Sequence, residues 1–198
     1  MMQSIEDKIL SRIYGHGRGW CFSQIDFSDL GSRASIDIAL HRLEKKGTIR
    51  RISRGLYEYP RFSSFLDTMI GPDMDEAARA VARKFKWEVI PNGPTALNIL
   101  GVSTQVPSKY VYISNGPNRT FQILGTELVF RHQEARQTVF EHAESALIVQ
   151  ALRSLGKNNI TIEAARKIRN RYDEKKWSRI IKDTAAVASW IHDEIKKW

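Results

Sequence analysis

The stretch GSRASIDIALHRLEKKGTIRRISRGLYEYP, Gly31 to Pro60, decides the fold. Its first half has a helical period. At 100° per residue, Ile36, Ala39, Leu40 and Leu43 fall within about 100° of one another and form a core stripe. Ser32 is placed to cap the helix start and Gly47 to stop it near Lys46. The second half, TIRRISRGLYEYP, reads as two short strands turned near Ser53-Arg54-Gly55, with Pro60 as terminator. Gly55 suits a turn position that needs positive φ.

Working back toward the N-terminus, Ser4 and Asp7 have capping-box spacing, and Ile5, Ile9 and Ile13 recur on one helical face. The run GHGRG, Gly15 to Gly19, ends that helix. Trp20, Cys21 and Phe22 are apolar, and Ser23 is positioned to cap a short second helix carrying Ile25, Phe27 and Leu30. The order helix, short helix, helix, β-hairpin within about 60 residues is that of a winged helix-turn-helix. The third helix is then the reading helix and the hairpin is the wing.

Each face of the third helix has its own chemistry. Opposite the core stripe lie Ala34, Ile38, His41 and Lys45, flanked by Asp37 and Arg42. Ser32, Arg33 and Ser35 sit at the N-terminal end, where free N–H groups and the helix dipole favour phosphate. The outward Ile38 fits a thymine methyl in the major groove, or a contact with a second domain or a partner subunit. Arg42 and Lys45 read as phosphate contacts or as ordinary solvated charges. On the wing, Arg50, Arg51 and Arg54 cluster within reach of one another, with Arg61 beyond. A duplex offers a closely spaced row of phosphates for such a cluster. Leu56, Tyr57 and Tyr59 read as the strand that packs the wing onto its domain. The candidate DNA contacts are Ser32, Arg33, Ser35, Ile38, His41, Arg42, Lys45, Arg50, Arg51 and Arg54.

Beyond residue 61 the pattern changes. RFSSFLDTMIGP, Arg61 to Pro72, reads as a linker or domain seam. A helix follows over PDMDEAARAVARKFK, then a short strand at WEVIP and a turn with a short helix at NGPTALNILG. KYVYIS, RTFQIL and ELVFRH are three strands separated by turn signals. The remainder reads as helices near 141–155, 162–172, 174–183 and 185–197. The fold class is α+β: an N-terminal winged helix-turn-helix over 1–61, then an α+β domain over 62–198 with a small sheet and a helical tail.

Composition narrows the function. The chain has 198 residues and a formal net charge of +9. Residues 1–61 hold 11 basic and 7 acidic side chains, 62–156 hold 9 of each, and 157–198 hold 11 and 6. A basic head and tail around a neutral middle favour polyanionic partners. No apolar run approaches the ~18 residues of a membrane span. No signal peptide is expected at the N-terminus, and the single cysteine, Cys21, fits a reducing cytoplasm as a small buried apolar residue.

No catalytic constellation emerges. Gly31-Ser32 looks superficially like the start of a nucleotidyltransferase site, but Asp37 is followed by Ile38 and Ala39, not by a second carboxylate for a metal pair. GHGRG follows a helix, not a strand, so it implies no dinucleotide site. The five histidines lack metal-ligand spacing. His142 with Glu141 and Glu144 reads as a helix start. Trp177 and Trp190, with nearby isoleucines, read as helical core or interface. No enzyme, cofactor or metal is expected.

Two segments carry a resemblance. FSQIDFSDLGSRASIDIALHRLEKKGTIRRISRGLYEYP resembles the winged helix of the AbiEi-type antitoxins, in particular a shorter bacterial and mobile-element subfamily. PNGPTALNILGVSTQVPSKYVYISNGPNR, Pro91 to Arg119, resembles that subfamily's second domain, most specifically over Leu100 to Pro107. The resemblance implies the antitoxin of a type IV toxin–antitoxin (abortive infection) system. It implies repression of its own promoter through inverted repeats, and a nucleotidyltransferase-like toxin as partner. It implies DNA contacts from Arg33, Ser35, His41, Arg42, Lys45, Arg50, Arg51 and Arg54. An inverted repeat calls for two copies of the module, paired or dimeric on DNA.

Overall fold

A computed structural model of the chain describes residues 4–105, 107–133 and 140–198. Contacts divide it into two units. The first runs to Glu88 and includes Thr120–Leu128; the second comprises Val89–Arg119 and Val129–Trp198.

In the first unit, α1 (Ile5–His16) starts at the expected capping box: the Ser4 hydroxyl accepts from the Asp7 N–H at 3.1 Å, and the Asp7 carboxylate accepts from the Ser4 N–H at 3.2 Å. Ile9 and Ile13 are fully buried. β1 (Cys21–Phe22) leads to a 3-10 turn, Gln24–Phe27, in which Asp26 accepts from the Ser23 N–H at 2.8 Å. α2 spans Arg33–Lys45 and buries Ile36, Ala39, Leu40 and Leu43, the stripe read from the sequence. β2 (Arg50–Ser53) and β3 (Leu56–Glu58) complete an antiparallel sheet of order β1-β3-β2. The helix, short helix, helix, hairpin order is thus present, with β1 as a third strand.

Strand alternation gives this sheet two different faces. Phe22 and Tyr57, paired across β1 and β3, join Trp20, Phe27 and the helical stripes in one aromatic-rich core. Cys21 and Glu58 form the next pair and point the other way. That side is covered by α3, Met74–Phe85, whose Ala77, Ala78, Ala80 and Val81 are all fully buried. Small side chains let the helix lie close to the strands. Arg83 fastens it, donating to Asp26 at 2.6 Å and to the Cys21 carbonyl at 2.6 Å. The contacts of α3 carry the first unit past the seam expected at residue 61, on to Glu88.

Arg61–Pro72, expected as a linker, forms a second hairpin. β4 (Phe62–Ser63) pairs antiparallel with β5 (Thr68–Met69), and the Ile70 N–H donates to the Arg61 carbonyl at 2.9 Å. The sequence hides this because Gly71 and Pro72 mark only its far end.

The second unit contains β6 (Val89–Pro91), α4 (Gly93–Ile99) and β7 (Lys109–Ser114). With β8 (Arg119–Ile123) and β9 (Thr126–His132), the sheet order is β6-β7-β9-β8. Asn92 caps α4, and a Cβ on Gly93 would fall 2.4 Å from that of Ser154, so only glycine fits there. Leu100 is buried, and the segment after it is held as a turn: Asn98 donates to the Gln105 carbonyl at 3.0 Å and the Ser103 hydroxyl accepts from the Gln105 N–H at 3.3 Å. Val106, within the Leu100–Pro107 signature, lies outside the described residues. The helical tail is α5 (Ala143–Leu155), α6 (Ile162–Arg169), α7 (Glu174–Asp183) and α8 (Ser189–Lys197), around a core that includes Trp177, Ile180, Ile191 and Ile195. Trp190 packs against this core half-buried. Asp183 accepts from the N–H groups of Glu141 and His142 at 2.9 and 3.0 Å, so the start of α5 is capped from α7. No helix among the described residues is long and apolar enough to cross a membrane.

Candidate nucleic-acid interface

α2 presents the face opposite its core stripe to solvent. Ala34, Asp37, Ile38, His41, Arg42 and Lys45 are all exposed, and Ile38 retains 54% of its surface. The helix start is capped by Ser32, whose hydroxyl lies 2.7 Å from that of Ser35 and accepts from the Ser35 N–H at 3.3 Å. Arg33 extends from this end with only a loose, solvated pairing to Asp37 at 3.8 Å, and His41 stands 4.0 Å from Glu44. Exposed pairs of that kind contribute little and yield readily to a competing phosphate. Arg42, Lys45, Arg51 and Arg54 have no ion-pair partner among the described residues.

The three wing arginines separate. Arg51 and Arg54 are exposed; Arg51 lies over the Tyr57 ring, 5.8 Å from its centroid, and Arg54 is in the turn. Arg50 turns inward. Its Nη2 and Nε donate to Glu58 Oε2 at 2.6 and 3.1 Å, and Nη2 also donates to the Ile70 carbonyl at 2.8 Å. Glu58 is fully buried, and its Oε1 has no hydrogen-bond partner. A buried carboxylate needs a cation, so Arg50 serves the interior and roots the β4–β5 hairpin. The structure thus brings nine of the ten expected contact residues to the outside or the helix start, and withdraws Arg50.

Register explains the split. The ladder pairs Ser53 with Leu56, Arg51 with Tyr57 and Arg50 with Glu58, with a bulge between Arg51 and Ser53. Without that extra residue, Glu58 would face Arg51 and the inward arginine would change. The wing and α2 meet around Tyr57. Burial raises the pKa of its hydroxyl, Glu44 and Asp37 of α2 raise it further, and Arg51 of β2 opposes them. Tyr57 also shares one buried cluster with Ile36, Ala39, Leu40 and Leu43 of α2, so the β2–β3 hairpin and α2 pack on the same core.

Two positioning residues escaped the sequence reading. Lys84 of α3 donates to the carbonyls of Arg54 and Gly55, both at 3.3 Å, and holds the turn from beneath. Gly55 has φ +69°, and a Cβ there would sit 2.8 Å from the Lys84 ammonium. The backbone N–H of Leu124, at the β8–β9 turn, donates to the Ile52 carbonyl at 3.3 Å and supports the outer strand. Both partners are distant in sequence and have no local signature. Cys21 is fully buried under α3, where burial, reinforced by Glu58, pushes its thiol pKa up and leaves it unreactive. No group of three or more metal-ligating side chains is found among the described residues.

No curated protein matches the chain. The model of DUF6088, a family of unknown function, matches residues 8–180, and the chain, matched over most of its length, belongs to that family.

Proposed function

We propose that this chain is a duplex-DNA-binding transcriptional regulator that serves in the cytoplasm as the antitoxin of a type IV toxin–antitoxin system. It represses its own promoter at inverted repeats and counters a nucleotidyltransferase-like toxin. The observation that carries the DNA part is the exposed set Arg33, Arg42, Lys45, Arg51 and Arg54 on α2 and the adjacent wing. α2 is the element that enters the major groove; Ile38, His41 and Arg42 are its base-reading side chains, and Arg51 and Arg54 neutralise flanking phosphates. The antitoxin part rests on the resemblance of the winged helix and of Leu100–Pro107 to the AbiEi-type family.

The test is a gel shift on the region upstream of the gene, repeated across salt. Replacing Arg51 and Arg54 together by alanine should weaken binding and reduce the salt slope by about 2, close to one unit per lost phosphate contact. An unchanged slope removes the wing from the interface. Co-expression with a nucleotidyltransferase-like reading frame, where one lies beside the gene, tests the second part: growth arrested by that frame alone should be restored when this chain is expressed with it. The half-exposed Ile38 beside Asp37 favours a second reading, a protein-interaction or RNA-binding module. Co-purification with a partner and no duplex binding would select it.

A further inference from the structure

The β4–β5 hairpin lies outside the proposed DNA-contact set, and its composition is unusual for an exposed element. Phe65 is 93% exposed, Leu66 65%, Phe62 51%, Met69 49% and Ile70 39%. The Phe62–Met69 cross-strand pair puts two of these on one face, and Phe65 and Leu66 form the tip. The hairpin is a sheet of two strands only. Two-stranded hairpins are marginal alone in water, and uncovered apolar strands invite pairing. Yet this one is anchored: its ladder is extended at the root by Arg61 and Ile70, and the Ile70 carbonyl is held by Arg50.

We infer that this hairpin is a self-association arm that packs against the same arm of a second copy of the chain. The exposed side chains present on the order of 500 Å² per copy, as large as the largest patch of a typical monomer. Arm against arm, at most about 1,000 Å² is covered, the lower bound for a specific interface, so the dimer is reversible and concentration-dependent. Charge permits this occupant. The chain carries +9 overall, so two copies repel at long range, but Arg61–Gly71 holds one cation and one anion and brings no like-charge clash to the contact itself. A two-fold contact must also be self-complementary, which an apolar, neutral hairpin satisfies. The choice of a second copy leans on the DNA-binding reading, since an inverted repeat requires two reading units.

The experiment is sedimentation of the full chain without DNA over a wide concentration range. It is paired with a Phe65→Ser/Leu66→Ser variant and with a benzophenone amino acid in place of Phe65. Wild type should shift from monomer to dimer. The double variant should dimerise at least about tenfold more weakly with the same melting temperature, because both side chains are already exposed. The photo-cross-link should map to residues 62–70 of the other copy. A monomer throughout, a variant that dimerises like wild type, or a cross-link to another region or another protein overturns the inference. A gel shift on the same samples separates the two claims: DNA binding without dimerisation sinks the arm alone, and dimerisation without DNA binding sinks the regulator reading alone.

Discussion

The β2–β3 and β4–β5 hairpins follow one another in the chain with only Tyr59, Pro60 and Arg61 between them. In the first, Leu56, Tyr57 and Glu58 are buried, one face meets the aromatic core, the other meets α3, and the tip carries an outward arginine. In the second, apolar side chains point outward and neither face is fully covered. The first hairpin is stabilised by what lies beneath it and is free to act at its tip. The second is held at its root and leaves most of its apolar surface exposed. Arg50 ties the two together, since it pairs with Glu58 in one and holds the Ile70 carbonyl of the other.

The largest expected effect breaks that tie. Arg50→Ala leaves the Glu58 carboxylate buried without its cation, and should lower the unfolding free energy by about 3–5 kcal/mol in denaturant titrations. Arg50→Met with Glu58→Leu should recover most of that loss, because the pair is replaced by apolar volume and the orphaned Glu58 Oε1 disappears with it. On the arm, Phe65→Ser should change stability by less than about 0.5 kcal/mol. Equal losses at the two sites would show that the arm is part of the monomer's core.

A smaller effect separates reading from anchoring. Ile38→Ala removes a branched side chain from the exposed face of α2 and should cost about 1 kcal/mol, several-fold, on the operator. Binding to unrelated duplex should not change, since Ile38 carries no charge for phosphate. Loss on both DNAs alike would assign Ile38 to the fold or to a partner instead.

Much of the first unit was legible in the sequence because its signals are local. Ser4–Asp7 spacing, the Ile36–Leu43 stripe and the Arg54-Gly55 turn each declare themselves within a few residues, and each is found where expected. The inward Arg50 was not legible, because one bulge residue decides which arginine faces Glu58. The face of the sheet under α3 was not legible either. The alanines of α3 look like ordinary helix formers until a sheet lies against them. Arg61–Pro72 reads as a linker or domain seam because a hairpin with apolar residues outward violates the inside–outside pattern.

The smallest effect expected on DNA binding belongs to Lys84, and it separates positioning from contact. Its ammonium is bonded to the Arg54 and Gly55 carbonyls from the α3 side, so it orders the β2–β3 turn, and the proposed DNA-contact set does not include it. Lys84→Met removes two hydrogen bonds to the turn, each worth about 1 kcal/mol at most in a partly solvated site. Operator affinity should fall two- to fivefold as the wing loses order, a loss of about 0.4–1 kcal/mol. The salt slope should stay at the wild-type value, because no phosphate contact is lost. Removing Arg51 and Arg54 lowers affinity and slope together, so the two kinds of cation are distinguished by slope and not by affinity. A slope that falls by about 1 in Lys84→Met would instead make Lys84 a phosphate ligand and extend the DNA-binding surface from the wing onto α3.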